Sequence, residues 1–338
     1  MNTLSSITAL LALSNCQYRI YEIGRVIQKI AKTEFNKIEM GHLPYPSPIQ
    51  GHAQFAIVFW QKNTNNPFIW FLKIPLDERG LLNQGAIHHF VTIIIEALGA
   101  DLTTTTTEQQ AQLLNSNPYH FTPAQYKMAS FNAIIAKQLT QPVSQFYTTC
   151  QQYVANQQQW PNWQHLAAQG LADFAARLES DNNLNELLFA FAKLPINVVL
   201  PLCTALEHHQ LPLPLVHQII KRFKNAKDNE EQQHLLRALA ASYDHQPVQQ
   251  LVEQLLQQPI SSELLIVISG RHWRLLNNVQ VLIQFFDLLL LVDNNNELFS
   301  PIFKDLVAIP KIRPIIFQCM RQANRSQQFA SAIGQLFH

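Results

Sequence analysis

The densest set of groups able to grip a partner is Gly270-Arg271-His272-Trp273-Arg274. Two guanidiniums, an imidazole and an indole within five residues can hold an anionic group or a peptide. Arg and Trp are also the side chains that most often anchor protein interfaces. The competing reading is structural: Trp273 fills a joint between helices while Arg271 and Arg274 meet carbonyls at a helix end. A second cluster, Lys73 to Gly80, places Asp77, Glu78 and Arg79 directly after a strand-like run. Loops on a rigid scaffold carry function, so Asp77 and Arg79 join the candidate partner-binding residues. The plainer alternative is a charged turn in which Asp77 caps and Arg79 pairs nearby.

Other polar clusters point elsewhere. Lys221-Arg222-Phe223-Lys224 with Lys227 is a basic segment interrupted by an aromatic, a cue for nucleic acid. Asp228, Glu230 and Glu231 follow at once and cancel its charge, and cations also suit a helix C-terminus. Beyond residue 300, Lys304, Lys311, Arg313, Arg321 and Arg325 face a single carboxylate, Asp305. That basic C-terminal stripe is the argument for an acidic partner or nucleic acid. The pairs His88-His89 and His208-His209 are adjacent, so on a helix they diverge and do not chelate. The chain has no zinc-type His/Cys spacing, glycine-rich phosphate loop, nucleophile elbow or H-E-x-x-H. No catalytic, cofactor-binding or metal-binding residue is therefore expected.

These groups need elements to position them. With 47% hydrophobic residues the chain can bury a large core, while only 14% are charged and the net charge is +1. Such a balance gives no field of the kind nucleic acid or an anionic membrane selects. Four scattered cysteines read as reduced thiols. The longest apolar run, Val279 to Val292, falls short of a membrane span. A cytoplasmic location with no membrane span is expected.

In the first half, Leu4 to Leu13 reads as a short helix capped by Thr3 or Ser5. Tyr18 to Ile23 and Val26 to Ile30 read as strands around a bend at Gly24. Lys32 to Met40 is a helix that Gly41 ends, and Pro44-Tyr45-Pro46-Ser47-Pro48 is an extended connection. Phe55 to Trp60 and Phe68 to Ile74 form a hairpin across Lys62 to Pro67, ended by Pro75. Ile87, Phe90, Val91, Ile94, Ile95 and Leu98 make one apolar helix face suited to cover it. Thr103 to Thr107 is a spacer before a capped helix. Helical patterns resume at Pro123–Leu139 and Pro142–Val154, and Trp160-Pro161-Asn162 marks a joint. Further helices start near Leu184, Pro195, Pro212, Asn229, Pro247, Ser261, Asn277, Asn296, Lys311 and Ser326, with proline and Asn/Asp punctuation. Short helices with short joints favour stacked antiparallel hairpins, although no repeat has a fixed period.

The order of segments resembles an uncharacterised bacterial family known only as a domain of unknown function. The likeness lies in Tyr18-Arg19-Ile20-Tyr21-Glu22-Ile23-Gly24-Arg25, Pro44-Tyr45-Pro46, Phe59-Trp60 and Phe68 through Leu81. Phe121-Thr122-Pro123 and Lys127-Met128-Ala129 extend it, so that it runs mainly over residues 17–150. The resemblance implies a full-length cytoplasmic bacterial protein and brings no activity, cofactor or catalytic residue.

The sequence thus predicts an α+β N-terminal domain with a small antiparallel sheet, residues 1–159, followed by an all-α irregular HEAT-like helical array, residues 160–338. The functional expectation is a non-catalytic protein-interaction or scaffold protein, anchored through Arg271, His272, Trp273 and Arg274 or through Asp77 and Arg79. The alternatives are nucleic-acid binding through the C-terminal stripe, and an enzyme or small-ligand sensor with a pocket at the domain joint.

Overall fold

The computed structural model describes residues 6–61, 67–99, 102, 107–293, 297–323 and 325–336. By their contacts the residues fall into two compact units, 1–123 with 307–311 and 124–306 with 312–338.

The first unit is a four-stranded antiparallel sheet with helices. The strands β1 (Cys16–Glu22), β2 (Gln28–Ile30), β3 (His52–Gln61) and β4 (Phe68–Pro75) lie in the order β2-β1-β3-β4. Ile57 pairs with Ile20 on one side and Trp70 on the other. Alternate residues of β3, namely Phe55, Ile57 and Phe59, share one core with α1 (Ile7–Leu13), α2 (Lys32–Glu39) and α3 (Gln84–Leu98). Of the α3 face foreseen from sequence, Ile87, Phe90, Val91 and Ile94 join this core and Leu98 packs at its edge, while Ile95 is exposed; Phe90 meets Trp70 edge-on at 5.5 Å. A period of two on the strands and of 3.6 on the helix selects these residues.

Local chemistry fixes the element ends. Ser6 caps α1, while Thr3 and Ser5 lie outside the described residues. Buried Glu39 adds a second cap from 31 residues away, accepting from the Thr8 N–H at 3.3 Å and its hydroxyl at 2.5 Å. The second strand is shorter than expected because Glu22 holds a turn before it, accepting from the N–H groups of Arg25 (2.9 Å) and Val26 (3.0 Å). A Cβ on Gly24 would lie 2.9 Å from that carboxylate and 3.0 Å from Ile49, so a larger residue there would have to displace both side chains. Tyr45 anchors the proline-rich stretch, its hydroxyl donating to the Gln54 carbonyl at 2.8 Å. The hairpin turn at 62–66 and the threonines at 103–106 lie outside the described residues, but Thr107 closes a capping box on α4 (Glu108–Asn115).

The second unit is helical. It begins with α5 (Gln125–Gln138) and α6 (Tyr147–Ala155), then a 3-10 segment (Gln157–His165) in which Trp160 and Tyr153 each donate to the other's backbone carbonyl. There follow α7 (Ala168–Ala176), α8 (Asn183–Ala190), α9 (Ile196–Leu206), α10 (Leu213–Asn225) and α11 (Asn229–Ala238). After them come α12 (Gln246–Leu255), α13 (Ser262–Arg271), α14 (Val279–Val292), α15 (Phe299–Ala308), α16 (Arg313–Arg321) and α17 (Gln327–Leu336).

Packing alternates. Helix α5 lies on α7, α7 on α9, α9 on α11 and α11 on α13, forming one row; α6, α8, α10 and α12 form the other. Each successive hairpin thus adds one helix to each row, the arrangement of a helical-repeat array. Gly170 permits the close approach of α7 to the start of α6, since a Cβ there would lie 2.6 Å from the Phe146 carbonyl oxygen. The apolar run from Val279 to Val292, too short for a membrane span, is α14, which buries Leu282, Phe285, Phe286 and Leu289. Phe286 sits amid Phe299, Phe303 and Phe329. Among the described residues no helix is long and apolar enough to cross a membrane.

Candidate functional site

The most charged interior of the second unit lies where α9, α11 and α13 end. Neighbouring helices of one row finish together, so their last carbonyls present partial negative charge that favours cations. Arg237 occupies the last turn of α11 and Arg271 the last residue of α13. Between them stands Glu207, directly after α9 and fully buried. Its Oε2 accepts from Arg237 Nε at 2.9 Å and from Arg271 Nε at 3.2 Å. Its Oε1 faces His208 Nε2 at 3.4 Å.

Burial alone would raise the Glu207 carboxyl; the guanidiniums of Arg271 and Arg237 that face it, the latter also donating a hydrogen bond, outweigh burial and hold the pKa well below the usual range. Burial lowers Arg237, but the Glu207 carboxylate and the Tyr126 phenol reverse that and leave it raised. His208 and His272 are pushed down by burial, His272 to about 4, so both are neutral at pH 7. Two guanidiniums, each about 20% exposed, therefore share one fully buried carboxylate, which leaves a surplus of one positive charge at the cluster.

The sequence-singled residues 271–274 turn inward. Arg271 belongs to the Glu207 cluster. His272 is wholly buried, and its Nε2 lies 2.8 Å from the Leu236 carbonyl at the end of α11. That contact makes Nε2 the protonated nitrogen. Trp273 is 4% exposed. Arg274 lies over the rings of Trp273 (4.9 Å) and Tyr243 (4.8 Å). These four residues join consecutive helices, and little of the indole surface is open to a partner.

Asp77 and Arg79 belong to the first unit. Asp77 Oδ1 accepts from the N–H groups of Arg79 (2.9 Å) and Leu81 (2.8 Å), and its Oδ2 pairs with Arg79 at 3.2 Å. The Leu81 bond above all holds its carboxyl below the usual value. Gly80 at φ +82° completes the turn. The carboxylate is spent on its own loop.

In the other basic segment one residue has partners within the fold. Arg222 pairs with Glu231 at 2.7 Å and donates to the carbonyls of Phe191 and Leu194, clamping successive hairpins. In the C-terminal stripe, Arg325 donates to the Met320 and Gln322 carbonyls. All four cysteines are free thiols and buried, and burial pushes Cys150 and Cys203 up to about 12. Among the described residues no group of His, Cys, Asp and Glu could hold a metal ion.

Arg237 also lines a pocket of about 370 Å³ that opens along the odd-numbered row. Its wall comes from α5 (Tyr126, Ser130), α7 (Ala172), α9 (Pro201, Thr204) and α11 (His234). The Arg237 guanidinium carbon stands 5.6 Å from the Tyr126 ring centre. Sequence reasoning reached Arg271 and the His208-His209 pair beside Glu207, but it assigned no site to Glu207, Arg237 or Tyr126. No local signal in the sequence joins these residues, because they meet only through the stacking of α9, α11 and α13.

The profile of a family described as "Protein of unknown function (DUF3549)" matches residues 2–337, nearly the whole chain rather than mainly its first half. No curated protein and no solved structure matches it.

Proposed function

The chain belongs to this family of unknown function, and from that premise we propose that it is a non-catalytic binding protein whose α5–α7–α9–α11–α13 row receives a protein partner. One observation carries the reading: four successive helices of that row contribute to a single recess, and Arg237 within it is held by a carboxylate from the row's own interior. Helical arrays bind along such rows because each repeat adds a side chain at a regular interval. Arg and Tyr are the residue types that supply binding energy there.

The experiment is affinity capture on the tagged full chain, with wild type beside Tyr126→Ala. Tyr126 is half-buried on the pocket wall. A stoichiometric protein that survives high salt and nuclease and is lost from the variant supports the proposal. An identical set from both proteins, or none from either, contradicts it.

A second reading, a small-ligand sensor, is favoured by the recess itself. Its volume falls within the range of small-molecule sites, and alanine, leucine and proline walls with a few converging polar groups are their usual lining.

A further inference from the structure

The recess between α5, α7, α9 and α11 combines three features that together specify a ligand. Its walls are largely apolar: Ala168, Ala172, Leu200, Pro201 and Ala205. Its polar lining residues are Tyr126, Ser130, Thr204, Glu230, His234 and Arg237, of which Thr204 already donates its hydroxyl to the Leu200 carbonyl at 3.1 Å. The Arg237 guanidinium is only partly satisfied. Nε donates to Glu207 and the Tyr126 phenol also interacts with the group, while Nη2 is buried with no hydrogen-bond partner among the described residues.

A buried donor left unpaired costs free energy, the more so when charged. The local charge adds to this: Arg237 and Arg271 share Glu207, so one positive charge is uncompensated beside the recess. Glu230 also lines the pocket but is an exposed side chain, where screening weakens it. A planar anion that accepts two N–H bonds suits a guanidinium best, and a carboxylate is such a group.

We infer that this pocket takes a carboxylate carried on a short apolar chain, with the carboxylate on Arg237 and the chain along the alanine and proline walls. The inference rests on the small-ligand reading above. The carboxylate could belong to a free acid or to the C-terminus of a peptide, and the test separates the two.

The probes are hexanoate against hexanamide, and acetyl-Ala-Ala-Leu with a free acid end against its amide. Each is titrated into the full chain by calorimetry and by thermal shift. For ligands of this size the expected Kd is about 1 mM, with the neutral partner at least about tenfold weaker. Hexanoate binding assigns the site to free acids; peptide-acid binding without hexanoate binding assigns it to a C-terminus.

Arg237→Gln should remove the preference for acid over amide. Should that variant fail to fold, Ala168→Phe serves instead. Ala168 is exposed at the start of α7, so a phenyl ring there covers the mouth of the recess and leaves the Glu207 cluster untouched. It should abolish binding with the melting temperature of the free protein unchanged. Amides that bind as well as their acids overturn the carboxylate assignment while leaving a ligand pocket. No binding of any probe at about 10 mM removes the pocket reading too. Hexanoate binding equally well to the Ala168→Phe protein places the ligand elsewhere and overturns the inference.

Discussion

Two clusters of charge look equally promising on paper and differ completely in the folded chain. Asp77 and Arg79 are two residues apart and satisfy one another and their own loop. Glu207, Arg237 and Arg271 are separated by 30 and 64 residues and meet only because α9, α11 and α13 stack and end together. Charges adjacent in sequence are already within reach of each other and of nearby backbone, so a turn consumes them. Charges drawn from separate helices meet in the interior, where low dielectric makes each worth more and each unpaired group costlier. The second kind of cluster can hold a guanidinium rigidly enough to meet a ligand.

The contrast breaks most readily at Glu207. Glu207→Ala strands two guanidiniums beside buried helix ends and should cost about 3–5 kcal/mol, read as a large fall in the denaturation midpoint. A loss below about 1 kcal/mol would mean the cluster is solvated. Next in size is Trp273→Ala, which empties a buried site and should cost about 3 kcal/mol. If stability is unchanged and a partner is lost instead, Trp273 anchors a partner rather than the helix joint.

Acid gives a smaller and graded effect. The His272 pKa is about 4 in the fold and 6.5 unperturbed. The folded protein therefore binds fewer protons than the unfolded chain between those values. Stability from neutral His272 is fully present above pH 6.5 and is lost as pH falls toward 4. By pH 5.5 the loss from this residue should be roughly 1 kcal/mol. His272→Gln should reduce the slope of stability against pH in that window, measured by urea unfolding, the remainder coming from His208 and His209, which burial also pushes down. Glu207, depressed in the fold, adds its own loss only below pH 4.5. An unchanged slope in the variant would contradict a buried, neutral His272.

The smallest effect belongs to the first unit. Asp77→Asn keeps the turn's acceptor and should move the melting temperature by no more than about a degree. A shift comparable to that of Glu207→Ala would erase the distinction between the two clusters.

What the sequence made legible follows the same division. The 55–74 hairpin, its proline stop, the covering face of α3 and the Thr107 cap all depend on residues within one or two turns of each other, and all are present. The bend at Gly24 was readable, but its length, which shortens β2 to Gln28–Ile30, was not, because it depends on where the Glu22 side chain folds back, a feature with no periodic signature. The starts of the helices beyond residue 180 were readable from proline and amide punctuation, within a few residues. The pairing of those helices into rows was not. Nothing in Glu207, Arg237 or Arg271 alone tells how many residues must intervene before their helices end side by side, so the recess above them stayed hidden. Trp273 shows the limit from the other side: an indole among cations suits an interface and a helix joint equally well by type, and only burial decides.

The most direct test is a double-mutant cycle on Glu207→Gln and Arg237→Gln, with unfolding free energies measured at pH 7. If the buried carboxylate holds Arg237 for a ligand, the two substitutions share one interaction and the double variant loses less than the sum. The expected coupling is about 2 kcal/mol. Strict additivity would mean that Arg237 stands independently of Glu207, and the binding site as described would not exist.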